Sequence, residues 1–185
     1  MNKKKLTPRI LADSLLELSV KKPVDRITIK EIVQNCGLSS QTFYNHFENK
    51  KELILWIHKS FGEELMDDFE RGEITFRQLT MRYLAFYAER ADFMLNAMFN
   101  TTGLDSFWVN VSEHAIESFE TFIRRKNRNK EISQMEKIHI RMFAYAITEI
   151  YAYWALHKMK IPKEELTEYI IAAMPQSLVK YLGEE

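Results

Sequence analysis

The sequence has few of the residues that cross-link, bend or loosen a chain. Its 185 residues include one cysteine, five glycines and four prolines. The single cysteine, Cys36, excludes an internal disulfide and fits a reducing cytoplasm. Scarce glycine and proline, with 46% hydrophobic residues, predict an all-α protein with few long loops.

Long apolar runs are also absent. No stretch of about 18 apolar residues occurs, so no membrane-spanning helix and no membrane partner are expected. The basic N-terminus at residues 3–5 is not followed by an apolar run, so a signal peptide is not expected either. These absences predict a cytoplasmic location.

The net charge is zero, but the charges are unevenly distributed. Residues 1–60 contain 11 Lys and Arg against 6 Asp and Glu, which gives +5. Residues 61–185 contain 15 against 20, which gives −5. A basic N-terminal part beside an acidic remainder is typical of a protein whose first part contacts nucleic acid.

One stretch, residues 28–54, carries two short helical segments separated by a glycine. Thr28 is a good N-cap, and Glu31 three residues later completes the pattern of a capping box. The first helix is expected to end at Gly37, since glycine readily adopts the left-handed conformation that ends a helix.

The second segment is expected to begin at Ser39 or Ser40 and to run to about Phe47. Phe43 and Phe47 lie four residues apart and share its inner face. The polar residues that remain point outward or sideways: Gln41, Thr42, Tyr44, Asn45 and His46. Two short helices with a glycine-containing turn predict a helix-turn-helix, and side chains of this kind can bind base edges and phosphates.

The DNA-binding signature of the tetracycline-repressor (TetR) family resembles one run of this chain, GLSSQTFYNHFENKKELI. The resemblance implies that bases are read by Lys30, Ser40, Gln41 and Thr42. It implies phosphate contacts for Thr28, Tyr44, His46 and Lys50, and we add Ser39 to the DNA-binding set. The rings of Tyr44 and His46 have an alternative role in packing against the first helix.

Apolar periodicity predicts about nine helices. Beyond the motif they are expected near residues 7–20, 49–69, 75–89, 92–99, 104–125 and 133–159, and from 163 onward with a kink or restart at Pro175. We predict a DNA-binding domain at residues 1–50 and a helical effector-binding and dimerisation domain at residues 51–185. The basic run at residues 124–130 is interpreted as a surface loop, with a second nucleic-acid patch as the alternative.

The TetR resemblance implies a homodimer on double-stranded DNA and a possible small-molecule effector. The centre of the predicted helix at 133–159, residues 142–156, is apolar nearly all round, which indicates burial on two sides. Predicted interface residues are Ile147, Tyr151, Trp154, Tyr169, Ile170, Ala173 and Met174. Aromatic and Met residues offer a pocket for an apolar or aromatic effector, although such residues are usually plain core. They are Trp56, Tyr83, Tyr87, Met94, Met98, Phe107, Trp108, Phe143 and Tyr151.

Enzyme chemistry has little support. The sequence lacks a His-Glu-x-x-His pair, a phosphate-binding glycine loop and a metal partner for Cys36 at the usual spacing. No catalytic residue, metal or cofactor is predicted.

The expected function is a transcriptional regulator, with repression as the family default. A short stretch is also similar to the dihydroxyacetone-kinase operon activator group, whose members act through a partner protein, so an activator is the first alternative. A helical interaction protein that does not bind DNA is the second.

Overall fold

The computed structural model describes residues 3–99, 107–128 and 130–183. These residues form ten α-helices and one short 3-10 helix (Val24–Arg26) and contain no strand, so the predicted all-α fold is confirmed. The helices are α1 (Lys3–Ser19), α2 (Ile29–Asn35), α3 (Ser40–Tyr44), α4 (Lys50–Glu70), α5 (Phe76–Glu89), α6 (Ala91–Phe99), α7 (Phe107–Lys126), α8 (Gln134–Leu156), α9 (Lys163–Ala172) and α10 (Gln176–Leu182).

The chain divides into two compact units. The first unit consists of Met1–Ser60 with Asp92–Phe107, and the second consists of Phe61–Ala91 with Trp108–Glu185. The change from one to the other along the chain falls within α4, and α6 belongs to the first unit. The predicted division concerns function, with DNA binding at residues 1–50 and effector binding and dimerisation at 51–185. It stays a prediction.

The core of the first unit forms where the apolar faces of its short helices meet. α1 packs on α2, and α2 packs on α3. One or more residues from each of α1 to α4 are completely buried there: Leu11, Leu15, Ile32, Phe43 and Leu53. α2 and α3, with 7 and 5 residues, are marginal alone, so this shared core stabilises them.

The core of the second unit is rich in aromatic rings. α5 packs against α8 and α9, and α10 packs against α8. Tyr151 of α8 contacts Tyr83 and Tyr87 of α5, with ring centroids 5.8 and 5.4 Å apart. A separate group joins Phe143 to Phe76 and Phe119 at 6.2 and 6.4 Å.

Several helix ends differ from those predicted. α3 ends at Tyr44 and not near Phe47, although the Phe47 N–H still bonds the Phe43 carbonyl at 2.9 Å. α8 ends at Leu156 and not at Met159, because residues 158 and 159 have φ of +57° and +52°. The chain restarts at Pro175 as a separate helix, as predicted.

One predicted feature, the start at Leu104 of the helix expected near residues 104–125, falls outside the described residues.

Candidate DNA-binding site

The turn between α2 and α3 has the geometry that the sequence predicts. Thr28 accepts the Glu31 N–H at 3.2 Å, and the Glu31 carboxylate accepts the Thr28 N–H at 2.8 Å, so the capping box is confirmed. Gly37 has φ of +69°, and the Leu38 N–H bonds back to the Val33 carbonyl at 2.8 Å. A left-handed glycine followed by this bond ends α2 tightly and turns the chain into α3.

Buried aromatic residues fix the orientation of α3. Phe43 and Phe47 are 0% and 5% exposed, with ring centroids 5.7 Å apart, so the predicted inner face is confirmed. Phe47 also meets the edge of Trp56 at 6.1 Å. With this face held in the core, the opposite face of α3 is turned to solvent.

Most of the predicted DNA-binding residues are exposed. Thr42 and Lys50 are half-buried, and the exposed ones are Thr28, Lys30, Ser39, Ser40, Gln41, Tyr44 and His46. The Ser39 hydroxyl caps α3 by accepting the Thr42 N–H at 3.1 Å, and the Gln41 amide donates to Asn45 at 3.1 Å. The α3 surface therefore presents amide and hydroxyl groups along its five residues.

Tyr44 and His46 pack only partly against protein. The Tyr44 ring meets the edge of Phe43 at 5.6 Å but remains 55% exposed. The His46 ring lies 6.4 Å from Phe47 and is exposed. Both retain a polar edge that faces solvent, so a ring that packs and also binds phosphate is compatible with this geometry.

Lys50 lies in a different environment from the one its predicted phosphate contact requires. Its ammonium donates to the carbonyl oxygens of Val24 at 2.6 Å, Asp25 at 3.0 Å and Ile27 at 2.6 Å. An ammonium has three donors, and these three bonds use all of them. Burial lowers the pKa of Lys50, as expected for a cation removed from water. The structure thus shows Lys50 bonded to backbone carbonyls, while its role on phosphate stays a prediction.

Electrostatics at the start of α2 favour the folded helix. The Glu31 carboxylate pairs with Lys22 at 2.5 Å across the N-terminus. Hydrogen bonds from Lys22 and then from Thr28 lower the pKa of Glu31 to about 2. A negative charge in the first helical turn also complements the helix dipole.

The nine residues predicted to line an effector pocket are distributed over both units. Trp56, Met94, Met98 and Phe107 belong to the first unit, and the other five belong to the second. Among those five, Tyr83, Tyr87 and Tyr151 form the aromatic contact described above. Burial raises the pKa of each of these three phenols. Phe143 lies in the other aromatic group, beside Phe76.

An apolar groove runs along α8 and α9 and ends at Pro175. Some of the predicted interface residues line this groove and others do not. The groove has a volume of about 410 Å³. Five of the predicted residues line it, namely Ile147, Trp154, Tyr169, Ile170 and Ala173. Met174 is buried outside its lining, and the Tyr151 ring is directed toward Tyr83 and Tyr87.

Sequence reasoning missed several groove residues and one long-range pair. Met142, Ala146 and Tyr153 also line the groove, and their spacing along α8 is a helical signal that was available. Asp25 and Asn96 are joined by two hydrogen bonds although 71 residues separate them. No local pattern indicates such a pair.

The basic run at residues 124–130 begins on α7. Arg124 pairs with Glu120 at 4.0 Å, and Arg125 pairs with Glu70. Three basic residues in the last turn of α7 complement its dipole. These contacts are consistent with the surface interpretation, which stays a prediction.

The described part of the chain contains no group of three or more His, Cys, Asp or Glu residues able to hold a metal ion. No helix within the described ranges is long and apolar enough to span a membrane.

Two family profiles match the chain. The one described as "Bacterial regulatory proteins, tetR family" covers residues 11–57. The one described as "Transcriptional regulator C-terminal region" covers residues 75–176, which is more than half of the chain. The first match contains the whole α2–α3 motif.

Among curated proteins, the chain is similar to the HTH-type dhaKLM operon transcriptional activator DhaS of Lactococcus lactis subsp. lactis (strain IL1403). The two are 34% identical over 68 residues. The alignment spans 37% of this chain and 36% of that relative, so the chain covers about a third of the relative's length.

Solved structures share the fold over nearly the whole chain. A structure of the dihydroxyacetone kinase operon activator DhaS has a TM-score of 0.68 at 20% identity, covering 96% of this chain and 98% of that one. Thermus thermophilus FadR, a TetR-family repressor in complex with lauroyl-CoA, has a TM-score of 0.64 at 15% identity, covering 90% and 92%. At such identities the match shows the fold alone.

The comparisons confirm the resemblance inferred from the motif. They also confirm the similarity to the dihydroxyacetone-kinase operon activator group. The chain belongs to the TetR family of transcriptional regulators and carries that family's DNA-binding domain.

Proposed function

We propose that the protein binds a palindromic DNA operator as a homodimer and regulates transcription there. The observation that carries this proposal is α3, whose inner aromatic face is buried while Gln41 and Ser40 are exposed. A short helix presented in this way fits the major groove, where amide groups can pair with adenine. Two subunits would place two such helices about one helical turn of DNA apart.

The apolar groove supports the homodimer. Its rim includes large apolar side chains that stand in solvent, with Met142 at 65%, Tyr169 at 54% and Tyr153 at 48% exposure. A contiguous apolar surface of this kind is typical of a protein–protein interface. A second copy of the chain, laid on α8 and α9, would remove these side chains from water and make the interface symmetric.

We assign DNA binding to residues 1–50, and effector binding and dimerisation to residues 51–185. Repression by blocking access to a promoter is our first expectation. Activation is the second candidate, because the similar DhaS protein is named as an activator. In either case, this protein would act on bacterial DNA in the cytoplasm.

An effector, if one is used, would be small and mostly apolar or aromatic. The contacts among Tyr83, Tyr87 and Tyr151 support this choice, because buried phenol rings favour a ligand that stacks. The effector would need different affinities for the DNA-bound and unbound states in order to shift their populations.

Selection of bound sequences from random duplex DNA tests the central proposal. Purified protein at near-physiological salt should enrich a palindrome with two half-sites. A reporter placed downstream of that palindrome then separates repression from activation. If a folded dimer enriches no sequence, the second alternative, an interaction protein without DNA binding, replaces our proposal.

A charged side chain introduced into the groove tests whether this face is the dimer interface. Met142→Asp should convert a dimer to a monomer in sedimentation or light scattering, because a carboxylate would be buried without a partner. Val20→Asp is the matched control, since Val20 is 86% exposed and lies outside the groove. A dimer that survives Met142→Asp would exclude this face as the interface.

A further inference from the structure

The turn that precedes α2 is held from two sides by residues from other helices. This turn, residues 24–27, is called the α1–α2 turn below. It consists of the 3-10 helix and Ile27, and the next residue is Thr28, the N-cap of α2. Its position therefore determines where α2 begins.

The first hold is the ammonium of Lys50, at the first position of α4. Three carbonyl oxygens of the α1–α2 turn converge on it at 2.6 to 3.0 Å. The Val24 and Ile27 side chains are 2% and 1% exposed, so the turn lies against the core. A buried carbonyl without a hydrogen bond costs free energy, and a turn this short has few donors of its own.

The second hold is Asn96, on α6. Its side-chain oxygen accepts the Asp25 N–H at 3.1 Å, and its amide donates to the Asp25 carboxylate at 3.3 Å. Phe93, Met94 and Ala97 of the same helix are buried, which fixes α6 within the first unit. The pair is thus a two-way contact between α6 and Asp25, through both the backbone N–H and the side chain of that residue.

We propose that Lys50 and Asn96 are positioning residues for DNA binding, which hold the α1–α2 turn and thereby set the start of α2. The inference rests on the proposed DNA-binding function. It differs from a phosphate contact by Lys50, because an ammonium already bonded to three carbonyls has no donor left for a phosphate oxygen. It also makes α6, which follows α5 in the chain, part of the support of the motif.

Substitutions at Lys50 distinguish a role in holding the α1–α2 turn from a direct contact with phosphate. Lys50→Gln should raise hydrogen exchange of the backbone amides of residues 25–32 in the protein without DNA. It should also weaken binding to a random-sequence duplex by about tenfold, through loss of charge-assisted hydrogen bonds. The salt slope of that binding should stay unchanged, whereas loss of one phosphate contact would flatten it by about 0.9.

Lys50→Arg adds a test by conservative replacement. A planar guanidinium would preserve a phosphate contact, but it cannot direct three donors at carbonyls that converge on one point. We therefore expect Lys50→Arg to lose affinity as Lys50→Gln does. Wild-type binding by Lys50→Arg, together with a flattened slope for Lys50→Gln, would overturn the proposal.

Two controls and a milder variant complete the design. Lys51→Gln removes the same charge from an exposed neighbour, and it should leave hydrogen exchange of the α1–α2 turn unchanged. Asn96→Ala should raise exchange of the same turn and weaken duplex binding about threefold without changing the salt slope. Asp92→Ala, at an exposed position on α6, is its control.

Affinities are measured at a temperature at which circular dichroism shows each variant fully folded. If Lys50→Gln does not fold, Asn96→Ala decides the proposal. If the wild-type protein binds no duplex, the proposed function fails, while the exchange data still decide whether the two residues hold the turn. Unchanged exchange in both variants would reject the inference.

Discussion

The α2–α3 motif and the aromatic core of the second unit are built by different kinds of contact. In the motif, the contacts that cap α2 and orient α3 join residues close in sequence, such as Thr28 with Glu31 and Phe43 with Phe47. In the second unit, Tyr83 meets Tyr151 across 68 residues. The comparison teaches that the cap and the inner face of the motif are determined locally, while the core of the second unit depends on how distant helices pack.

Matched core truncations test this comparison with the largest expected effect. Phe43→Ala and Phe143→Ala should each lower the free energy of unfolding by about 3–5 kcal/mol, since both rings are buried. Chemical denaturation measures this loss. Among folded molecules, only Phe43→Ala should lose DNA binding, because only Phe43 orients α3.

Equal loss of binding in the two folded variants would contradict the comparison. It would mean that the second unit, and not local packing, determines the shape of the motif.

Substitutions at two glycines, one in each region, test the same comparison with a smaller expected effect. An alanine at Gly62 would overlap the buried hydroxyl of Tyr83, so Gly62→Ala should destabilise the protein by about 1–3 kcal/mol although alanine favours a helix. Gly37 has open space around its Cβ position but φ of +69°. Gly37→Ala should therefore cost about 1–2 kcal/mol through backbone strain alone.

The double variant Gly62→Ala with Tyr83→Phe distinguishes the two causes. Removing the hydroxyl leaves the ring carbon at 3.5 Å, an ordinary contact, so the alanine should become neutral or stabilising. Thermal denaturation of the single and double variants measures the rescue. Without any rescue, the hydroxyl is not what excludes a side chain at Gly62.

Gln41→Ala probes the surface of the motif and not its core. Because Gln41 is exposed, stability should change by less than about 0.5 kcal/mol. Affinity for the selected palindrome should fall by about 1–3 kcal/mol, while affinity for random duplex should change much less. Fluorescence anisotropy on both duplexes measures this. Equal losses on the two would remove Gln41 from base reading.

The smallest expected effect is a difference in acid sensitivity between two capping-box glutamates. Hydrogen bonds, from Lys22 at Glu31 and from Ser133 at Glu136, lower the pKa of each carboxyl from 4.5 to about 2. A lowered folded-state pKa means that their contribution is complete above about pH 4.5 and is lost as pH falls toward 2. The buried Glu136 also accepts from Lys180 and Tyr181, both at 3.0 Å.

Because Glu136 is buried and Glu31 is partly exposed to screening by solvent, Glu136→Gln should flatten the dependence of stability on pH between about 4.5 and 2 more than Glu31→Gln does. Salt should weaken the Glu31 contribution more, because both members of its pair with Lys22 are partly exposed, whereas Glu136 itself is buried. Denaturation midpoints across pH and salt provide the test. A larger effect at Glu31 would reverse the assignment.

The extent to which the molecule could be predicted from its sequence follows the same division. The capping box at Thr28, the left-handed Gly37 and the buried Phe43 were predictable, because each depends on neighbours within a few residues. The carbonyl contacts of Lys50 were not, since they come from residues 23 to 26 positions earlier. Family resemblance assigned Lys50 to phosphate, but only the folded turn reveals that its donors are already used.

The fluorescence of Trp154 can report whether the groove is covered. The indole is 4% exposed, lines the groove, and donates its N–H to the Ile161 carbonyl at 2.7 Å. Trp56, in contrast, lies in the first unit against Phe47. The emission spectrum of Trp154, obtained by subtracting that of Trp154→Phe, should therefore shift when a second molecule covers the groove. A dilution series would then report subunit dissociation without any attached label.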